Sequence, residues 1–597
     1  MTVFKSSSRD VPEIPDNMDL YTFMTEYYPD YRFDARGTGY ALLIDEETGQ
    51  KWTYEDTKER VDLLAIGLRE KLGVEEDTVV AVFSANCVDY LVTILACHKV
   101  GAIVSCANPS FQPAELAYQL DASKATALFV GEEAQTEGIQ AAEKAGMAKD
   151  HVIVMQTPKT CQAKGALNGG DRRIKDNAWA LEGLVAEGKD LLASKGSSML
   201  EKSRPKLGRG GNRKKLAFLS FSSGTTGLPK GVMIQHYAPI ANVLQNCIFN
   251  EMKNPAQPGD RYEPGKDVSL GVLPFYHIYG LVVSLLFTFF SGITNVCIPK
   301  FKGIEAMIRT ALKYRITLWW LVPPQVVLLV KDPSAKKYYS ELRELVRFLM
   351  IGAAPLSDDL SGRLEAVLPG LDWGQGWGMT ECCTVGTMHP PKTRAVFGSA
   401  GRLFPNVSGK VVNAEGKEVG VGEAGEFWIK APTVTLGYLS NEKATEEMWL
   451  KDGWLRTGDE VKFNENGDMF IVDRLKELIK VKGFQVAPAE LEGWILNHDD
   501  VADVGVIGLP NEESGEIPIA FITLSASAKE SKKDVAEVKK SVKKFVAVNK
   551  IRYKHLGRVE ILDAIPKTAS GKILRKDLRV LAKELRAEDP EQDKAKL

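Results

Sequence analysis

Residues 218–231 read FLSFSSGTTGLPKG, an apolar run passing into a loop of hydroxyls, glycines and one lysine. Gly224, Gly227 and Gly231 let the backbone take positive φ and come close to a ligand. Ser222, Ser223, Thr225 and Thr226 offer hydroxyl donors, and Lys230 adds a cation. This passage predicts a cradle for a polyphosphate. It is not a Walker A loop, because Pro229 stands before the lysine where that pattern needs glycine, and Gly231 follows where it needs Ser or Thr. A Gly-rich loop on its own is usually a polar turn, so the sequence around it decides.

Working outward, short β-branched runs alternate with longer amphipathic or apolar segments between residues 78 and 375. TVVAVF is followed by a helical pattern over 88–100 and then AIVSC, and AFLSF by 236–249 and then SLGVLP. ITLWWL at 316–321 and VRFLMIG at 346–352 continue the series. Such alternation predicts βαβ units and parallel sheets, an α/β class. From about 398 to 473 the texture becomes short strands with closely spaced glycines and a hairpin-like NENGD, predicting a small β-rich subdomain. Past Arg474, ADVGVIG, IPIAFITL and GRVEIL alternate with a Lys-rich helical stretch at 529–549, which reads as a compact α+β unit. The expected organisation is a large domain over 1–474 and a smaller one over 475–597. The polar stretch 160–215, rich in Gly, Lys and Ser, reads as an insertion or mobile surface segment.

A chain of 597 residues exceeds one ordinary core, and a net charge of −2 with interspersed signs leaves no electrostatic footprint for nucleic acid. The basic run KSRPKLGRGGNRKK at 202–215 reads as a solvated loop. Eight cysteines, with Cys382 and Cys383 adjacent but no C-x-x-C, read as reduced thiols of an intracellular protein. The run at 281–298 nears membrane-span length, but Ser284, Thr288, Ser291, Gly292 and Asn295 interrupt it. It reads as a buried helix, a glycine turn and a buried strand, so no transmembrane segment is expected. The amino terminus has no apolar h-region of a secretory signal. Ala595-Lys596-Leu597 is one conservative change from the S-K-L address, which predicts a peroxisomal import receptor as partner.

Five further blocks follow the loop in order: IGAAPL at 351–356, GQGWGMTE at 374–381, GWLRTGD at 453–459, VDRLKELIKVKGFQVAPAELE at 472–492 and PKTASGKILRK at 566–576. Together they resemble the adenylate-forming superfamily, which includes acyl-CoA synthetases, 4-coumarate:CoA ligases, luciferases and peptide-synthetase adenylation domains. The likeness spans nearly the whole chain and is strongest to the 4-coumarate:CoA ligase-like branch. It implies a large N-terminal AMP-binding domain, a mobile C-terminal lid, and ATP, Mg²⁺ and CoA as cofactors.

The resemblance also implies roles. The 222–231 loop would grip the β- and γ-phosphates, Glu381 would hold Mg²⁺, and Thr380 would contact the α-phosphate. Trp377, between Gly376 and Gly378, would stack on adenine with Gly352, Ala353 and Ala354 lining the other side; most relatives have Tyr there. Asp459 would clamp the ribose, Arg474 would contact ribose or phosphate, and Lys476 would be the hinge. Lys572 would bridge the substrate carboxylate and α-phosphate, while Lys480 and Gln485 would serve thioester formation after the lid turns. His277 would gate an acyl pocket lined by Tyr276, Tyr279, Gly280, Cys382, Cys383 and Val385. The Cys-Cys-Thr-Val run departs from the Ala-Gly-Pro-Val of plant coumarate ligases, so hydroxycinnamate specificity does not carry over.

These readings predict an ATP-dependent acid:CoA ligase acting on an aryl or medium-to-long aliphatic acid. The rivals are an adenylating enzyme that serves a carrier protein, a luciferase-like oxygenase and a non-catalytic module on the same fold. The presence of every charged group that the site requires weighs against the last.

Overall fold

The computed structural model describes residues 2–156, 172–174, 178–201, 205–222, 229–257, 259–474, 477–482, 484–511, 514–568 and 571–588. They form four sheets flanked by helices, a mixed α/β architecture.

In the seven-stranded sheet the order is Lys230–Gln235, Leu216–Ser222, Ile103–Ala107, Val79–Phe83, Ala127–Gly131, Val152–Met155 and Trp179–Ala180. All but the first pair in parallel. Its central strands, such as VVAVF, are buried along their whole length, as strands covered on both faces must be. The nine-stranded sheet has a parallel centre of Asp372–Met379, Phe348–Ile351, Leu318–Leu321, Val268–Gly271, Thr294–Cys297 and Ala41–Asp45. Ligands of such sheets collect beyond the carboxyl ends of the strands, and the motif residues cluster there.

A third sheet is antiparallel and joins Phe4–Lys5, Ser408–Val412, Gly425–Lys430, Leu455–Phe463 and Met469–Arg474. Phe4 pairs with Gly409 and stacks on Phe463 at 4.3 Å between ring centroids. The strand Leu455–Phe463 alternates strictly, turning Leu455, Thr457, Asp459, Val461 and Phe463 inward. The fourth sheet, from Ile479 to Ile561, packs on the helix Val535–Asn549 through Val538, Val542 and Val546, at helical spacing.

The stretch read as a surface insertion is partly built into the large domain. Trp179–Ala180 extends the seven-stranded sheet, and the helix Leu181–Lys195 lies against the helix Tyr54–Leu72. A Cβ at Gly188 would fall 1.9 Å from the Leu63 carbonyl, and one at Gly67 only 2.5 Å from that of Leu184. The glycine is a notch that lets two helices touch, and composition alone read it as a loop. The basic run also carries structure: Asn212 is buried and donates to the carbonyls of Pro15 and Met18, while Lys215 pairs with Glu76 and Asp77.

The long apolar run divides into a wide π-type helix over Gly280–Phe287, a turn of α-helix, Gly292 at φ 72° and the strand Thr294–Cys297. No helix among the described residues is long and apolar enough to cross a membrane. The described cysteines are free, and all but Cys87 are buried.

Candidate functional site

The loop quoted first closes a hairpin: Lys230 pairs with Ser222 in antiparallel register. Ser223, Gly224, Thr225, Thr226 and Gly227 lie outside the described residues, as do Lys476 and Ala595-Lys596-Leu597, and Ser222 is described only in its backbone. The lysine extends from the hairpin over a ring, with its ammonium 4.9 Å from the Tyr438 centroid.

The next group stands on the strand Asp372–Met379. Its first half runs parallel to Phe348–Ile351, and its second half leaves that neighbour and pairs antiparallel with Thr384–Met388. The glycines of GWG make this turn-back physically possible. A Cβ at Gly378 would lie 1.6 Å from the Thr384 carbonyl, and one at Gly376 would lie 2.1 Å from Met350 Cε. Trp377 is 6% exposed, packs edge-on against Phe427 and donates its indole N–H to Asp459 Oδ2 at 2.7 Å. Asp459 is thereby fixed through one oxygen, and Arg474, its register partner, places Nε 3.5 Å from the other. Asp459 is thus held from two sides, by the residue assigned to adenine through one oxygen and by Arg474 through the other.

Gly352, Ala353 and Ala354 follow directly on the strand Phe348–Ile351, and Ala353 is exposed at φ 71°. A side chain at Gly352 would collide with the Tyr279 ring, 2.9 Å from the Cβ position. Thr380 opens a short helical turn over Thr380–Cys382 in which Glu381 is buried. The Glu381 carboxylate accepts from the Tyr438 hydroxyl at 2.6 Å. Among the described residues no group of three or more His, Cys, Asp or Glu could hold a metal. A lone buried carboxylate nevertheless fits Mg²⁺ carried in on nucleotide phosphates, since that ion needs only one or two carboxylates beside substrate oxygens and water.

The proposed acyl-pocket residues come together from two segments. Thr384 Oγ1 donates to the Ile278 carbonyl at 3.0 Å, tying Cys382–Val385 to the Tyr276–Gly280 stretch. Asn242 donates to the Val385 carbonyl, and the Tyr279 hydroxyl reaches the Met350 carbonyl at 3.4 Å. The Tyr276 hydroxyl is buried with no partner among the described residues. Cys383 and Thr384 hold φ of 46° and 89°, a strained region for residues with a Cβ and more so for a β-branched one. Burial pushes the Cys382 thiol up to about 12, which disfavours the thiolate that a nucleophile needs. His277 accepts from the Tyr279 N–H at Nδ1, and burial, helped by the nearby Lys572 charge, pulls its pKa down to about 4. The ring is neutral at physiological pH, which suits a gate more than a base.

Two sets of residues, one in the fourth sheet and one past its last strand, differ in exposure. Lys480 and Gln485 stand directly opposite each other in the hairpin Ile479–Val486 and are exposed. Lys572 is instead drawn into the site, with Arg474, Glu477, Asp459 and Glu381 as its charged neighbours. Burial, with Arg474 next, pulls its pKa from 10.5 down to about 8. Gly571 approaches Val322 and Pro324 of the large domain, where a Cβ would lie 3.2 Å from the Val322 side chain.

Two features were given no role by the sequence reading. Tyr438 touches both Glu381 and Lys230. Arg575, three residues past Lys572, pairs with Glu477 at 2.9 Å and with both oxygens of Glu492 at 2.8 and 2.9 Å. Burial pushes Glu492 up to about 7. Asp473 accepts from the Ala489 N–H at 3.1 Å, so this cluster spans the passage from the third sheet to the fourth. Arg575, Glu477 and Glu492 stand inside the blocks quoted above, but partners distant in sequence have no periodicity to betray their pairing.

The chain matches the model of the family described as AMP-binding enzyme over residues 32–439, and that of the AMP-binding enzyme C-terminal domain over 490–572. It is 34% identical to 4-coumarate–CoA ligase 1 of Arabidopsis thaliana, covering 97% of this chain and 95% of that protein. A 4-coumarate–CoA ligase of Pinus taeda is 32% identical, with 97% of each chain covered. Among solved structures, the anthranilate CoA ligase AuaEII with anthranoyl-AMP has a TM-score of 0.77 at 21% identity, covering 97% of this chain and 99% of that one. A benzoate CoA ligase from Burkholderia xenovorans LB400 has a TM-score of 0.73 at 23% identity, covering 94% and 100%.

Proposed function

We propose, for a chain that belongs to the AMP-binding enzyme family, the two-step ligation of a carboxylic acid to CoA. The observation that carries this reading is the contrast within one small domain, with Lys572 set among Asp459, Glu381 and Arg474 and the Lys480–Gln485 pair facing outward.

In the first step a carboxylate oxygen of the acid attacks the α-phosphorus of ATP, the bond to pyrophosphate breaks, and acyl-AMP forms. Charge grows on the α-phosphate and leaving group, so the protein's work is to spread and hold it. Lys230 and the loop it closes face the β- and γ-phosphates, Thr380 the α-phosphate, and Lys572 the oxygens shared between acid and phosphate. Glu381 would hold Mg²⁺, which when bound neutralises phosphate charge. Trp377, Asp459 and Arg474 fix the nucleoside, and Gly352, Ala353 and Ala354 give its base a backbone wall.

In the second step the CoA thiolate attacks the acyl carbon, AMP leaves, and the proton of the thiol passes to solvent. Residues 475–597 act as a lid that turns about Lys476 and brings Lys480 and Gln485 to the site in place of Lys572. The adenylate hydrolyses readily in water, and a lid that covers the site in both half-reactions protects it. His277, Tyr276, Tyr279, Gly280, Cys382, Cys383 and Val385 bound the acid, an aryl or medium-to-long aliphatic one. Names of relatives, coumarate, benzoate and anthranilate ligases among them, support the aryl side.

The test is a screen of aryl and fatty acids for pyrophosphate release with and without CoA, with the thioester measured directly. Acid-dependent pyrophosphate release with a thioester only when CoA is present is expected. Adenylate formation with no thioester for any acid would reject CoA as acceptor. A peroxisomal destination, read from Ala595, Lys596 and Leu597, belongs to the same reading. An amino-terminally labelled fusion should lose its punctate distribution when those three residues are deleted.

A further inference from the structure

Tyr438 stands where two opposite charges of the site meet. Its hydroxyl donates to Glu381 Oε1 at 2.6 Å, and the Lys230 ammonium lies 4.9 Å from its ring centroid. The residue belongs to GYLSNEKAT at 437–445, a stretch that reads as a loop and a helix start. It is only 6% exposed.

The surroundings lock it in place. Its backbone N–H donates to Thr445 Oγ1 at 2.9 Å, and its ring meets Trp449 edge-on at 5.0 Å. The segment on either side is stitched to both charged partners. Leu439 N–H donates to the Gly231 carbonyl at 2.8 Å, next to Lys230, and Tyr438 bridges to Val232. Thr435 donates to the Glu381 carbonyl twice, from N–H at 3.0 Å and from Oγ1 at 2.9 Å. One short segment thus sets the backbone of Glu381 and the strand of Lys230, and one side chain sets their charged ends.

A neutral partner suits this place. If Lys230 and Glu381 paired with each other, each charge would be spent before nucleotide arrived. A phenol donates to the carboxylate without cancelling its charge, and a ring face attracts the ammonium while leaving its protons for phosphate oxygens. The phenol hydroxyl lies at donor distance from the carboxylate and supplies the one proton the contact needs.

We propose that Tyr438 is a positioning residue that aims the Glu381 carboxylate at the Mg²⁺ of bound nucleotide and holds the Lys230 ammonium ready for the nucleotide's phosphates. This rests on the adenylation reading of Glu381 and Lys230 given above.

The experiment is calorimetric binding of α,β-methylene ATP, which cannot release pyrophosphate, with and without Mg²⁺. The proteins compared are the unaltered protein, Tyr438→Phe and Tyr438→Leu. Phenylalanine keeps the ring over Lys230 and removes the hydroxyl. It should reduce the Mg²⁺-dependent gain in affinity by about tenfold, the worth of a hydrogen bond to a charged group, and leave metal-free binding within about twofold. Leucine should weaken metal-free binding as well. The inference is overturned if Tyr438→Phe keeps the full Mg²⁺ gain, or if it weakens metal-free and metal-bound affinity alike. Should the leucine variant fail to fold, the phenylalanine variant decides alone. A normal protein that binds the analogue no better with Mg²⁺ would remove the metal role of Glu381 and this inference together. One that does not bind the analogue at all would instead reject the adenylation reading.

Discussion

The nucleotide side of the site and its lid side are built on opposite principles. On the large domain each charged group has a fixed partner: Trp377 holds Asp459, Arg474 flanks it, and Tyr438 holds Glu381. On the lid, Lys480 and Gln485 face solvent, and no side chain among the described residues hydrogen-bonds the Lys572 ammonium. On the two-step reading proposed above, the difference separates a cradle that must exist before the ligand arrives from groups that must be delivered and withdrawn. Preorganisation serves the first; for the second a tight partner would be an obstacle.

The sharpest way to break this comparison is to remove the delivered charges. Lys572→Ala should slow pyrophosphate release by about 10²-fold or more while thioester formation from supplied acyl-AMP stays within a few-fold. Lys480→Ala should do the reverse. Equal loss in both half-reactions, with folding intact, would mean that the lid has one working face.

The cradle is tested next. Asp459→Ala removes a buried carboxylate and should weaken ATP binding by about 1.5–3 kcal/mol. Trp377→Phe keeps an aromatic face but leaves Asp459 without its indole donor. Its effect should be smaller, about fivefold on ATP affinity, together with poorer discrimination between ATP and 2′-deoxy-ATP. Unchanged discrimination in the phenylalanine variant would show that Asp459 does not depend on Trp377.

A third measurement uses pH. Because Lys572 is pulled from 10.5 down to about 8, the free enzyme should lose adenylation kcat/KM as pH rises through about 8. Lys572→Arg, charged throughout, should lack that fall. The stability consequence has the opposite sense. Below about 8 the lysine is protonated in folded and unfolded chains, and the folded state bears the full cost of a buried charge. Between about 8 and 10.5 only the unfolded chain keeps the proton, so this group makes the folded state more stable as pH rises. Thermal melts of the normal protein and Lys572→Ala across that window should differ in slope.

The smallest expected effect is at Cys383. Replacing it by Gly relieves a positive φ that a Cβ disfavours and should stabilise the protein by about 1 kcal/mol, read as a higher melting temperature. A drop would show that the buried thiol's packing outweighs its strain.

Much of this was legible in the chain itself. The alternation from 78 to 375 announced parallel sheets because strands buried on both faces must be apolar throughout, and Val79–Phe83 is. The ordered blocks singled out Trp377, Glu381, Asp459 and Lys572, and the fold brings these four near one another. Two things were hidden. The helix Leu181–Lys195 looked like loop because glycines at 183 and 188 serve close packing, which composition does not distinguish from flexibility. The Tyr438–Glu381 bond joins residues 57 apart in sequence, and neither periodicity nor motif spacing records a side-chain contact between elements.

The pairing of Phe4 with Gly409 and Lys5 with Ser408 also sets a schedule for the ribosome. A chain made at about 5–20 residues per second leaves that first strand waiting roughly 20–80 s for its neighbour to be synthesised. The sheet that carries Asp459 inward therefore closes late in the life of the nascent chain, after the seven-stranded sheet has all its strands. Until then Phe4 has no Phe463 to stack on, and the emerging protein has most of its fold but no finished nucleotide site.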